Sequence, residues 1–180
     1  SIILGVGAQG DTLAALRLEM GLNLPAPDRY FRWITGILNG NFGKSYTYDI
    51  PVYSLIFERL SVSIPLALLA ISLSTFLAIP LGVFAAANHK RIADTSIMGF
   101  SQLGLAVPNF WFAILLILLF SVKLGWFSAG GFAGWGMGFG AGLKSLTLPA
   151  ISLALPQAAI LARVTRSAVL ETMREDYVRT

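Results

Sequence analysis

Residues 60–88 and 95–122 contain no charged side chain at all, and a third apolar stretch, also uncharged, covers 145–162. The first stretch, at about 28 residues, makes roughly 42 Å of helix, enough to cross a hydrocarbon layer of about 30 Å with tilt. The third is short but is lengthened by arginines that reach to the headgroups. The pattern predicts an all-α, polytopic membrane helix bundle with spans at about 60–87, 95–122 and 145–162. Pro65 and Pro80 are tolerable inside a membrane helix, where neighbouring groups re-satisfy the freed carbonyls. Ala67, Ala70, Ser74, Ala78 and Gly82 recur at three- and four-residue intervals, which lets a second helix approach closely. Gln102 and Asn109 in the second span and Gln157 in the third are amides that need partners in lipid. Interhelical hydrogen bonding and the lining of a polar substrate pathway both account for them.

The segments between spans carry the topology. Residues 88–94 read Asn-His-Lys-Arg-Ile-Ala-Asp, a short basic link that the positive-inside rule places in the cytoplasm. His89, the only histidine, reads there as a solvated loop residue. Residues 124–143 lack charge but are too glycine-rich for a stable helix and read as an extracytoplasmic loop, with Trp126 and Trp135 near the interface. After Ala162 the pattern changes: Arg163, Arg166, Glu171, Arg174, Glu175, Asp176 and Arg179 mark a helix end that leaves the lipid on the cytoplasmic side. Its mixed signs suit a protein surface, and Val169, Met173 and Tyr177 supply a narrow apolar strip. At the other end, residues 1–59 are the most polar region and read as extracytoplasmic, with two short helices. One is capped by Asp11 and runs to Gly21. The other is capped by Asp28, with Tyr30, Trp33, Ile34, Ile37 and Leu38 on one face, suiting the headgroup level of the membrane lipid.

Composition agrees with the pattern. Hydrophobic residues make up 56% of the 180 residues and charged ones 12%, with mean hydropathy +0.72, far from a soluble domain with about a quarter of its residues charged. The net charge of +4 lies at the ends of spans and not in an aromatic-interleaved patch, which argues against a nucleic-acid partner. With no cysteine, thiolate metal sites and cysteine nucleophiles are excluded. The peptide Gly-Asn-Phe-Gly-Lys-Ser at 40–45 ends like a phosphate loop, but the position that needs the first glycine holds Leu38, so a turn is expected. No catalytic residue, metal site or cofactor is predicted. An intramembrane enzyme would need a nucleophile and base at membrane depth, and His89 lies in a link. The alternative is an ion-coupled secondary transporter or another polytopic membrane protein that is not driven by ATP; the former is disfavoured because no Asp or Glu lies inside a span.

Four stretches resemble the membrane-spanning permease subunits of bacterial ABC importers of the dipeptide, oligopeptide and nickel class: LRLEMGLNLPAPDRYFRWITGILNGNFGKS, IPLGVFAA, VPNFWFAILLILLFSVKLGWF and LPAISLALPQAAILARVTRSAVLETMREDYVRT. The resemblance implies a six-span permease of which this chain holds spans two to four as an internal piece. It also implies transport of peptides or related small solutes, with ATP hydrolysed in separate ATPase subunits. A second homologous permease and a periplasmic or extracellular solute-binding protein complete the expected partners. The Arg179-Thr180 pair resembles the start of the helix that couples such permeases to the ATPase. Glu171, Arg174, Glu175, Asp176, Tyr177, Arg179 and Thr180 are therefore expected on the coupling side, in a multi-pass protein of the bacterial inner membrane.

Overall fold

The computed structural model of the chain describes residues 17–18, 21–45 and 47–175. These fall into two compact units, Ser1–Ser61 and Val62–Thr180. Most of the helix expected from Asp11 lies outside the described residues. Arg17 and Leu18 are helical, and Gly21 takes the left-handed φ of 63° that ends such a helix.

In the first unit, helix α1 spans Ala26–Leu38. It starts two residues before the expected cap: Pro25 stands at the N-cap and Asp28 falls within the first turn, where an acid complements the helix dipole. None of its residues is buried, and Tyr30, Trp33 and Leu38 are exposed. Residues 40–43 form the expected irregular, turn-like stretch and residues 44–45 a short strand. Gly40 and Gly43 both have φ of 78°, and Asn41 Oδ1 accepts the Gly43 N–H at 3.0 Å. Lys44–Ser45 (β1) then pairs antiparallel with Ile50–Pro51 (β2), two strands too short to leave an alternating pattern in the sequence.

Helix α2, Val52–Ala87, begins in the first unit and runs on into the second. It includes Glu58 and Arg59 ahead of the uncharged stretch, and Pro65 and Pro80 lie inside it without ending it. Helix α3 spans Ile92–Ala106. Helix α4 spans Asn109–Leu116 and passes into π-helical turns over Ile117–Lys123. Helix α5 spans Phe139–Thr172 and is preceded by a single 3₁₀ turn, Trp135–Met137.

Two expectations are corrected. The span drawn over 95–122 is broken: α3 and the α4 segment meet at 98°. Pro108 has no N–H and disfavours the helical conformation in the residue before it, and Val107 sits at φ −87°, ψ 123°. The glycine-rich loop is also shorter than expected, since residues 139–143 already belong to α5. Tertiary packing overrides the low helix propensity there. A Cβ on Gly142 would lie 2.7 Å from the Trp135 ring, so the glycine makes room for that indole.

Helix α5 is the element against which α3 and α4 chiefly pack. The core is made of small residues: Ala78, Ala158 and Ala162 form its centre, flanked by Leu77 and Leu161. Along α2 the buried positions are Ala70, Ser74, Ala78, Gly82, Ala85 and Ala86, the expected small-residue stripe except that Ala67 is exposed. At Gly82 a Cβ would lie 2.6 Å from the Ala162 carbonyl oxygen and 2.7 Å from Thr165 Cβ, so the two backbones nearly touch. Gly82→Ala is expected to lower stability by about 1–3 kcal/mol through overpacking, measured by thermal unfolding in detergent. Gly99→Ala, with nothing near its Cβ position, is the matched control and is expected to be neutral or mildly stabilising.

Candidate functional site

The described residues bring one charged cluster together across the fold. Asp94, in the first turn of α3, is buried, its side chain 5% exposed, and Arg166 of α5, 20% exposed, forks onto it. Arg166 Nε donates to Asp94 Oδ1 at 2.5 Å and Nη2 donates to Oδ2 at 2.7 Å, a bidentate arrangement joining residues 72 positions apart. Oδ2 also accepts the backbone N–H of Lys90 at 3.0 Å. Lys90 is held at φ 64°, a left-handed conformation that costs a residue with a Cβ about 1–2 kcal/mol. The turn keeps that conformation because it aims the N–H at the carboxylate.

His89 completes the cluster. Its Nδ1 lies 3.0 Å from Arg166 Nη2 and 3.3 Å from Asp94 Oδ2. A guanidinium only donates, so the shorter contact makes Nδ1 an acceptor and puts the proton of a neutral imidazole on Nε2. The solvated loop position expected for His89 is corrected: its side chain is half-buried against an ion pair. Short polar contacts surround a pair largely shielded from water. Removing one member would strand the other charge, at a cost of about 3–5 kcal/mol. No group of three or more His, Cys, Asp or Glu that could hold a metal occurs among the described residues.

The link is equally tight on its other side. The Asn88 N–H reaches Phe84 O at 3.1 Å, Asn88 Nδ2 donates to the same oxygen at 3.0 Å, and the His89 N–H reaches Ala86 O at 3.1 Å. One carboxylate therefore gathers the end of α2, the start of α3 and the side of α5. Sequence reasoning named Asp94 and Arg166 separately but did not pair them. The available signal was that one acid and one base flank uncharged stretches at the same predicted membrane level.

The amides expected on a pathway all lie at the surface. Gln102 on α3, Asn109 at the start of α4 and Gln157 on α5 are all exposed. None of them lines the apolar cavity of about 490 Å³ that lies between Leu77 and Leu81 of α2, Phe100 and Gly104 of α3, and Leu155 and Ala159 of α5. On the coupling side, Glu171, Arg174 and Glu175 are exposed, and the helix ends at Thr172. Asp176, Tyr177, Arg179 and Thr180 lie outside the described residues. Of the expected apolar strip, Val169 is half-buried and Met173, at the C-cap of α5, is exposed, while Tyr177 lies outside the described residues.

A helical membrane chain with this cluster has clear relatives. Residues 78–180 match the family described as the binding-protein-dependent transport system inner membrane component. The chain belongs to that family. A Brucella abortus (strain 2308) protein named as a peptide transport system permease is 42% identical over 99% of this chain and 57% of its own length. The oligopeptide transport system permease AppB of Bacillus subtilis is 39% identical over 90% of this chain and 52% of its own length. The corresponding OppB permease of Salmonella typhimurium is 32% identical over 94% and 54%. The chain thus spans about half the length of the curated permeases it matches. Both ends of the Asp94–Arg166 pair fall within the residues matched to that family.

Lys90→Pro, which removes the N–H given to Asp94 and locks φ away from 64°, is expected to destabilise the protein by about 2 kcal/mol or more. Lys90→Gly, which keeps the N–H and suits the left-handed turn, is expected to be neutral or stabilising. Unfolding of both variants in detergent checks the pair.

Proposed function

We propose that the chain forms part of the translocation pathway of an ATP-driven importer for peptides or related small solutes, and that its cytoplasmic end couples to a separate ATPase. The observation that carries this is the continuity of α5. One unbroken helix leads from the apolar stretch through Ala162 into the charged residues Arg163, Arg166 and Glu171. A load applied at the charged end is thereby transmitted along a rigid element into the bundle. The peptide class of cargo is supported by the names of the relatives, all three of them peptide or oligopeptide permeases.

In this reading residues 60–180 are the transmembrane permease part, and residues 1–59 and 123–144 lie outside. Residues 88–94 and 163–180 are cytoplasmic. Support comes from the basic residues of both inner segments and from Arg166 touching Asp94, because groups in direct contact share one side of the membrane. ATP hydrolysis belongs to partner ATPase subunits, a second homologous permease completes the pore, and a solute-binding protein delivers cargo from outside. Gln102, Asn109 and Gln157 face the pathway: they are polar, exposed on this chain and turned away from its apolar cavity, so their partners are water, solute or another subunit.

Full-length permease reconstituted in proteoliposomes with its ATPase subunits, second permease and solute-binding protein is expected to take up peptide only with ATP inside. Charge reversal at Glu171, Arg174 and Glu175 is expected to weaken ATPase association. Uptake that ignores ATP and follows an ion gradient would overturn the importer assignment.

Cysteines placed at 102, 109 and 157 test the pathway, since this chain has no cysteine of its own. They are expected to react with a water-soluble thiol reagent in at least one nucleotide state. Inaccessibility in every state would remove the three amides from the pathway.

A further inference from the structure

We infer that Asp94 and Arg166, with His89 beside them, are positioning residues. They form a joint that makes the α2–α3 link move with α5, so that a displacement imposed on the charged end of α5 reaches three helices and not one. The inference rests on the importer assignment and deepens it by naming where the coupling motion is distributed.

Three observations converge on the joint. First, α5 is helical without interruption from Arg166 to Thr172, six residues or about 9 Å of rigid rod toward the proposed ATPase side. Second, the link between α2 and α3 has no slack. Asn88 and His89 are hydrogen-bonded back to Phe84 and Ala86 of α2, and the Lys90 N–H is bonded forward to Asp94 of α3. A pull on Asp94 therefore moves both helices. Third, the contact with Arg166 is a two-pronged fork, which fixes direction as well as distance. The neighbouring α2–α5 contact through Gly82, Ala78, Ala158 and Ala162 is close and apolar and contains no such directional fork.

A purely structural role gives a different expectation. Well-packed apolar residues generally replace a buried ion pair with little or no loss of stability. They cannot replace its directionality. The pair and its apolar substitute therefore separate folding from coupling.

The test uses the full reconstituted importer, and the readout is peptide transported per ATP hydrolysed, a ratio independent of how much complex assembles. The apolar double variant Asp94→Leu with Arg166→Met is expected to assemble and hydrolyse ATP while the ratio falls about three- to thirtyfold. Arg166→Lys, which keeps charge but loses the fork, is expected to fall between that variant and the unsubstituted protein. The exchange Asp94→Arg with Arg166→Asp is expected to recover part of the ratio lost in Arg166→Ala. An unchanged ratio in the apolar double variant would overturn the joint while leaving the importer assignment in place. Failure of every variant to assemble, the exchange included, would make the pair a folding element only and equally overturn it. No ATP-driven uptake by the unsubstituted assembly would remove the importer assignment itself, and the joint with it.

Discussion

Helices in hydrocarbon gain little by hiding apolar side chains from one another, because lipid tails are as apolar as leucine. They associate by approaching closely, and close approach requires the absence of side chains. This constraint sets the geometry of the second unit. Gly82 brings the backbone of α2 against the Ala162 carbonyl, and alanines at 78, 158 and 162 fill the centre of the contact. Dispersion between well-fitted surfaces then replaces the hydrophobic drive of a soluble core. Arg166 lies one helical turn after Ala162, and it meets Asp94 where α3 packs along α5.

The ion pair adds what alanine packing lacks. Alanine surfaces specify separation but are tolerant of rotation and sliding, whereas a guanidinium fork on a carboxylate fixes orientation. The two kinds of contact lie within a turn of each other on α5, the first close and apolar, the second polar and directional. Lys90 shows that the second constraint governs local backbone: a lysine occupies a left-handed turn because its N–H belongs to Asp94.

The uncharged runs and small-residue spacing made the helix bundle legible in the sequence. The elbow at Pro108 was legible only as a proline, since hydropathy averages across a break that leaves composition unchanged. Residues 139–143 misled because glycine content measures intrinsic helix preference, whereas Trp135 resting on Gly142 supplies the packing that overrides it. The charged cluster was missed for a further reason. Asp94 and Arg166 are 72 positions apart, and no local periodicity connects them. His89 looked solvated because its sequence neighbours are basic, while its spatial neighbours are an acid and a distant arginine. The three amides keep their chemical sense as exposed polar groups.

The elbow between α3 and α4 has a consequence in solvation. A helix that stops at Ala106 and another that starts at Asn109 leave carbonyls at one lip and N–H groups at the other without the partners a continuous helix would give them, and Pro108 at the N-cap supplies no side-chain acceptor. Hydrocarbon cannot hydrate those groups. Wherever this elbow lies within the depth of the bilayer, lipid tails are therefore kept off it, and its lips are wetted or capped by protein. A single proline thus marks a small polar island in an otherwise oily surface.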